Sequence, residues 1–173
     1  METHDEPDRA INTARTRMLA VTVITLLVAV TAVTGSQATL PVIETWYAGL
    51  VKPNFNPPNW IFGPIWTLLY MLLIYSAWRV ATRIFSRKEL VKTTIIFIIQ
   101  LVFNASWSLV FFGQKDPATA LIVVIGLEAS VIAMIFNFAR TDRLAAALQL
   151  PYAAWVAFAS LLNLAIVLLN PSA

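Results

Sequence analysis

Trp46-Tyr47-Ala48-Gly49-Leu50-Val51-Lys52-Pro53-Asn54-Phe55-Asn56-Pro57-Pro58-Asn59-Trp60 runs straight into Ile61-Phe62-Gly63-Pro64-Ile65-Trp66. It is the one long non-helical connection in a chain that otherwise alternates apolar runs with short charged gaps. Pro53, Pro57 and Pro58 lack an amide proton and fix φ, so no preceding helix continues through them. Asn56 is placed to cap the next helix, with two prolines in its first turn, where missing donors cost nothing. Trp46, Tyr47 and Trp60 each join an apolar body to one polar handle, which suits a membrane–water boundary. The stretch reads as a folded lid at one membrane face, over a pocket built by the helices it joins.

The chain around it is 59% hydrophobic and 12% charged over 173 residues, with a mean hydropathy of +0.75. Each crossing of a bilayer needs about 20 apolar helical residues. Five stretches meet that requirement, about 18–40, 59–80, 91–112, 117–138 and 144–169. They make residues 18–170 one five-helix transmembrane domain, with a lid loop over 41–58 and no room for a second domain. The expected fold class is an all-α membrane protein, a five-transmembrane-helix bundle. Residues 1–17 carry too little apolar surface to fold and are expected to be a disordered polar tail, His4 among them. Ser36-Gln37-Ala38 has the composition of a signal cleavage site, but the apolar run is long for a signal and its loss would strip one wall from the bundle.

Charge placement sets orientation and excludes one class of partner. Ten Lys and Arg residues fall in the tail and in the second and fourth gaps, against Lys52 and Lys115 alone on the other side. The positive-inside bias makes the N-terminus cytoplasmic and turns the lid outward. The net charge of +3 therefore serves topology, not nucleic acid. There is no cysteine and a single histidine, so neither thiol chemistry nor a histidine metal centre is expected, and no cofactor is required.

Three helical stripes carry the polar and aromatic groups. Gln100, Asn104, Trp107, Ser108 and Phe111 share one face of the third span. Tyr152, Trp155, Ala159 and Asn163 share one of the fifth, and Asn59, Phe62, Trp66 and Tyr70 one of the second. Lipid penalises amides on an outer face, so these stripes should look inward, at one depth beneath the lid. Such a convergence suits a ligand pocket, with Trp66, Tyr70, Asn104, Trp107, Ser108, Tyr152, Trp155, Ala159 and Asn163 as ligand-binding candidates. Ordinary interhelical packing explains the same spacing, and spacing alone leaves both readings open.

Three segments carry a resemblance: WYAGLVKPNFNPPNWIFGPIWTLLY, QLVFNASWSLVFFG and LPYAAWVAFASLLN, in that order. They resemble the TspO/MBR family, the translocator or tryptophan-rich sensory proteins, over about residues 40–170. The resemblance implies a five-helix bundle, usually a homodimer in membrane lipid, with the first loop capping a pocket for porphyrins such as protoporphyrin IX or a haem-like tetrapyrrole. Trp66, Asn104, Trp107, Ser108, Trp155 and Ala159 stand at the family's pocket positions. Tryptophans matching Trp66 and Trp155 are implicated, in some bacterial members, in light-dependent porphyrin breakdown, which would make those two the catalytic residues of an enzyme. The animal members carry an aromatic and a basic residue late in the fifth helix, where Leu164 and Leu168 stand here; sterol binding is not carried over.

The physics of a flat, apolar ligand with a carboxylate edge fits such a pocket. Indoles stack on its faces, amides meet its polar edge, and Lys52 is a candidate partner for a carboxylate near the surface. Receptor, sensor or transporter of a tetrapyrrole is one reading and a porphyrin-degrading enzyme another. A small-solute transporter is a third, with only Glu128 as an ion site. The membrane in question is read as a prokaryotic cell membrane. Glu128, in mid-span, is expected to be a neutral acid bonded to an adjacent helix. The alternative is a dimer contact beside the small residues Gly126 and Ser130.

Overall fold

A helix that meets no proline beyond its first turn has no strong local reason to stop, and the first helix follows that rule up to Pro41. In the computed structural model α1 runs over Asp5–Thr39. The structure describes residues 5–84 and 86–171, with side chains from Met18 onward. The expectation for His4 lies outside them. The unstructured tail expected over residues 1–17 is corrected for its backbone from Asp5 on. Pro7 falls in the first turn, where it is tolerated, and nothing from Asp8 to Thr34 breaks the helix.

The remaining elements are α2 (Trp46–Gly49) in the lid, α3 (Asn59–Ala81), α4 (Arg87–Ser108), α5 (Pro117–Ala139), α6 (Arg143–Ala147) and α7 (Leu150–Leu169). Helix α4 ends in a π-helical turn, Leu109–Gly113. Among the described residues five spans are long and apolar enough to cross a membrane: 18–39, 59–81, 87–113, 117–139 and 143–169. Among the described residues there is no strand. The protein is thus an all-helical, multi-pass membrane protein, as its apolar runs require.

Caps and prolines set the boundaries. Asp116 accepts from the Thr119 amide, with Pro117 in the first turn of α5. Asp142 accepts from the Leu144 and Ala145 amides, and the same carboxylate takes Arg79 at 2.9 Å and Arg83 at 2.7 Å. Burial works against that charge, but the Ala145 amide and the two guanidinium groups hold the Asp142 carboxyl below its ordinary range. Pro151 lies in the first turn of a new helix. The fifth span breaks after Ala147 and resumes at Leu150. Buried Gln149 fills the break, its Nε2 donating to the Leu72 carbonyl and to Ser76 Oγ, which ties α7 to α3.

Asn56 does something other than cap. Helix α3 starts two residues after Pro57, with Pro58 ahead of it and no side-chain cap. The Asn56 carboxamide instead accepts the Tyr47 hydroxyl at 2.9 Å and donates to the Pro57 carbonyl. Three consecutive residues bounded by prolines hold Asn56 too far from the first turn, so its amide closes the lid on itself.

Helix α5 packs against α4 and α7 through a stripe of Ala120, Val124, Leu127, Val131, Met134 and Phe138, all buried. The small pair Gly126 and Ser130 belongs to that packing. A Cβ on Gly126 would lie 2.5 Å from Phe103 Cε1 of α4, and buried Ser130 donates to the Leu127 carbonyl at 2.7 Å. The pattern read from sequence as a possible dimer contact is therefore spent inside the protomer.

Candidate functional site

The lid is held down at three places, which gives it a fixed shape. Tyr47, buried among Phe111 and Phe112 of the π-helical turn, has ring centroids 6.3 and 5.6 Å from theirs. Trp46 meets the same two rings edge-on, and Phe55 meets Phe158 of α7 at 6.2 Å. Asn170, just past α7, pairs both ways with one lid residue: it accepts from the Val51 amide and donates to the Val51 carbonyl, each at 2.9 Å. The π-helical turn brings Phe111 and Phe112 to the lid, as such single wider turns often mark sites.

Beneath it lies a cavity of about 400 Å³. Helix α3 supplies Asn59, Phe62, Trp66 and Tyr70, the whole stripe expected of it, together with Trp60, Gly63 and Thr67. Trp107 and Ser108 of α4 and Phe112 form the back. Ala32, Gly35, Ser36 and Thr39 of α1 form the opposite wall, and Leu40, Ile43 and Tyr47 the roof. Ser36 and Leu40 on one side and Trp60, Gly63 and Thr67 on the other are exposed. The cavity therefore has a mouth between α1 and α3 that faces sideways, within the height of the spans.

Behind the aromatic wall stands a buried polar layer. The Tyr70 hydroxyl donates to Asn104 Oδ1 at 2.9 Å, Asn104 Nδ2 donates to the Tyr152 hydroxyl at 2.6 Å, and Tyr152 donates to Gln100 Oε1 at 2.8 Å. A second chain fixes the back wall: Trp107 Nε1 donates to Asn163 Oδ1 at 3.1 Å, and Asn163 Nδ2 donates to the Pro117 carbonyl at 2.8 Å. Trp66 packs on Tyr70 and Tyr152, with centroids 5.4 and 6.1 Å away.

The sequence candidates thus divide into two groups. Trp66, Tyr70, Trp107 and Ser108 face the cavity. Asn104, Tyr152 and Asn163 stand behind those and orient them, while Ala159 is buried within the bundle. Trp155 packs against Phe62 at 5.8 Å and Phe158 at 5.4 Å, so Phe62 separates it from the cavity. Its Nε1 is buried without a partner among the described residues. Lys52 folds back on the lid, with Nζ 3.2 Å from the Ala48 and Leu50 carbonyls and 4.7 Å from the Tyr47 ring centroid.

The α1 wall and the π-helical turn were not among the candidates. The readable signal was Gly35-Ser36, small residues in a bulky run. A Cβ on Gly35 would lie 3.2 Å from Ser108 Oγ, so the glycine lets α1 close on α4. Among the described residues no cluster of His, Cys, Asp and Glu could hold a metal.

Tyr47 makes the lid sensitive to alkali. Burial pushes its phenol up from 10.0 to about 12. A raised value means the folded form holds its proton more tightly. The associated stability is complete below pH 10.0 and lost as the pH rises towards about 12. The thermal midpoint should fall across that window, and Tyr47→Phe should remove this component. An identical alkaline fall in both proteins would contradict it.

Comparison with known proteins yields one consistent result. The model of the TspO/MBR family matches residues 22–169. A "Tryptophan-rich protein TspO" of Archaeoglobus fulgidus is 45% identical over 139 residues, covering 79% of this chain and 87% of that protein. A "Tryptophan-rich sensory protein" of Cereibacter sphaeroides is 40% identical, over 73% of this chain and 78% of that one. The human "Translocator protein" is 35% identical, over 68% and 70%.

Proposed function

The chain belongs to the TspO/MBR family, and from that premise we propose that it binds a porphyrin or related tetrapyrrole in the cavity beneath the lid, as a receptor, sensor or transporter. The observation that carries this reading is the wall of Trp66, Tyr70 and Trp107 around about 400 Å³, a size and lining suited to a flat, largely apolar ligand. Indole faces stack on such a ring, and the Tyr70 oxygen, already donating to Asn104, keeps lone pairs for a ligand donor. The carboxylate edge then points to the lid, where Lys52 would have to leave its carbonyls to meet it. The positive-inside bias argues for a cytoplasmic N-terminus, while a prokaryotic cell membrane and a homodimer are the setting that the family resemblance implies.

A second reading, porphyrin breakdown under light, is favoured by one arrangement. Trp66 lies at the cavity, tilted against Tyr70 and edge-on to Tyr152, a set of electron-rich rings able to hold a radical. Trp155 would act from behind Phe62 and is the weaker participant. Porphyrin titration followed by tryptophan quenching tests binding: Trp66→Phe should weaken it severalfold, and Trp155→Phe should weaken it less. Unchanged affinity in Trp66→Phe would remove the cavity as the site. A time course of porphyrin absorbance under illumination separates the two functions. Loss faster than that of free porphyrin, and absent in Trp66→Phe, favours the enzyme.

A further inference from the structure

One charged side chain sits at mid-span, and the cavity does not use it. Glu128 lies at the centre of α5, and the spans of α1, α3, α4 and α7 bring no other Asp, Glu, Lys or Arg near that level. Arg79 belongs to the far end of α3, and Arg87, Lys88, Glu89 and Lys92 to the first turns of α4. A carboxyl at that depth is costly without partners. Yet Glu128 makes no hydrogen bond among the described residues, and its Oε2 is buried and unpartnered. The bond to an adjacent helix expected from the sequence is not made.

The packing register shows what lies opposite. Phe103 sits against Gly126, and Thr93 Oγ1 donates to Asn137 Oδ1 at 2.8 Å. These two contacts fix antiparallel α4 and α5 so that Gln100 stands level with Ala129 and Ser130, within a turn of Glu128. Asn163 bonded to the Pro117 carbonyl fixes α7 against α5 in the same way and brings Tyr152 level with Glu128. Gln100, wholly buried, accepts from Tyr152 through Oε1, but its Nε2 has no partner among the described residues. One unused donor and one unused acceptor, both buried, therefore share one layer in mid-membrane.

We propose that Glu128 and Gln100 form a second site, which takes one water molecule and a proton, and that this site is linked to the cavity through Tyr152, Asn104 and Tyr70. A bridging water satisfies both orphaned atoms, as buried waters with two to four polar partners do. The linking chain has one direction. Tyr70 donates to Asn104, Asn104 to Tyr152 and Tyr152 to Gln100, whose Nε2 is left without a partner at the level of Glu128. Carboxamides do not pass protons readily, so the chain transmits polarisation, not protons. The proton on Glu128 comes from the aqueous phase. Ionised Glu128 at the acceptor end strengthens each bond before it and leaves the Tyr70 oxygen a better acceptor for a donor in the cavity. By linkage, a ligand that donates to Tyr70 favours ionised Glu128. The phenols of Tyr70 and Tyr152 are the other titratable groups on this chain of bonds.

Infrared spectra of the full chain in lipid nanodiscs test the site without any ligand. A protonated-carboxyl carbonyl band should titrate with pH, vanish in Glu128→Gln and shift in Gln100→Leu; Tyr152→Phe is the substitute should Gln100→Leu fail to fold. Absence of the band at every pH where the protein stays folded, or a band indifferent to Gln100 and Tyr152, overturns the site. The link rests on the porphyrin reading and has its own measurement. Affinity for a free-base porphyrin, whose pyrrole N–H groups donate, should rise on the order of fivefold as Glu128 ionises. The rise should be absent in Glu128→Gln. An equal pH dependence in both overturns the link, whereas failure of the wild-type chain to bind porphyrin at any pH defeats the cavity reading and leaves the infrared result to decide the site.

Discussion

Gly126→Leu should be the most damaging single substitution in the bundle, and Gly126→Ala should already cost about 1–3 kcal/mol by overpacking. The reason is one ring. Cε1 and Cζ of Phe103 would lie 2.5 and 2.9 Å from an added Cβ, and α4 and α5 form the most extensive helix pair in the molecule. An aromatic ring has few ways to yield, so either it leaves its rotamer or the helices separate. Denaturation midpoints in detergent measure the effect. Shortening the ring with Phe103→Leu in the Gly126→Ala background should restore part of the loss. A Gly126→Ala protein as stable as wild type would mean that α4 and α5 pack less closely than described.

Asn163→Leu should follow, with effects on both stability and ligand. The substitution keeps the volume but orphans Trp107 Nε1 and the Pro117 carbonyl, which one carboxamide now satisfies. Side-chain hydrogen bonds inside membrane proteins average about 0.6 kcal/mol and reach about 1.7, so losing two should cost roughly 1–3 kcal/mol. The larger consequence is at the cavity. Trp107 faces it, and without Asn163 the indole is free to turn, which should lower porphyrin affinity by about tenfold, some 1.4 kcal/mol. Trp107→Phe retains a ring but no N–H. Combined with Asn163→Leu it should show a coupling energy, because each substitution alone already breaks the same bond. Strict additivity of the two would place Asn163 outside the control of Trp107.

The helices were legible in the sequence because bilayer thickness imposes a length that apolar runs declare. Asp116 and Asp142 accept from amides two or three residues on, since an N-cap depends on local spacing alone. The inward stripe from Gln100 to Phe111 was legible for the same reason. What escaped was everything decided between helices. Asn56 reads as a cap until Tyr47, nine residues earlier, claims its oxygen. Gly126 and Ser130 read as a contact for another chain until Phe103 occupies the notch. Trp155 and Trp66 read as equivalent, yet Phe62 stands between Trp155 and the cavity. The wall from α1 was passed over because its one readable mark, the adjacent Gly35-Ser36, carries no polar group distinctive enough to point to a site.

The sideways mouth between α1 and α3 changes what an affinity means for this protein. An apolar solute dissolved in the surrounding acyl chains meets the opening directly, so the quantity driving occupancy is its mole fraction in that phase. Two preparations with the same total solute but different amounts of amphiphile would then give different apparent constants. The ratio between those constants would follow the solute's partition coefficient and the volume of the hydrocarbon phase. A solute too water-soluble to accumulate there would bind poorly however well its shape matched the walls.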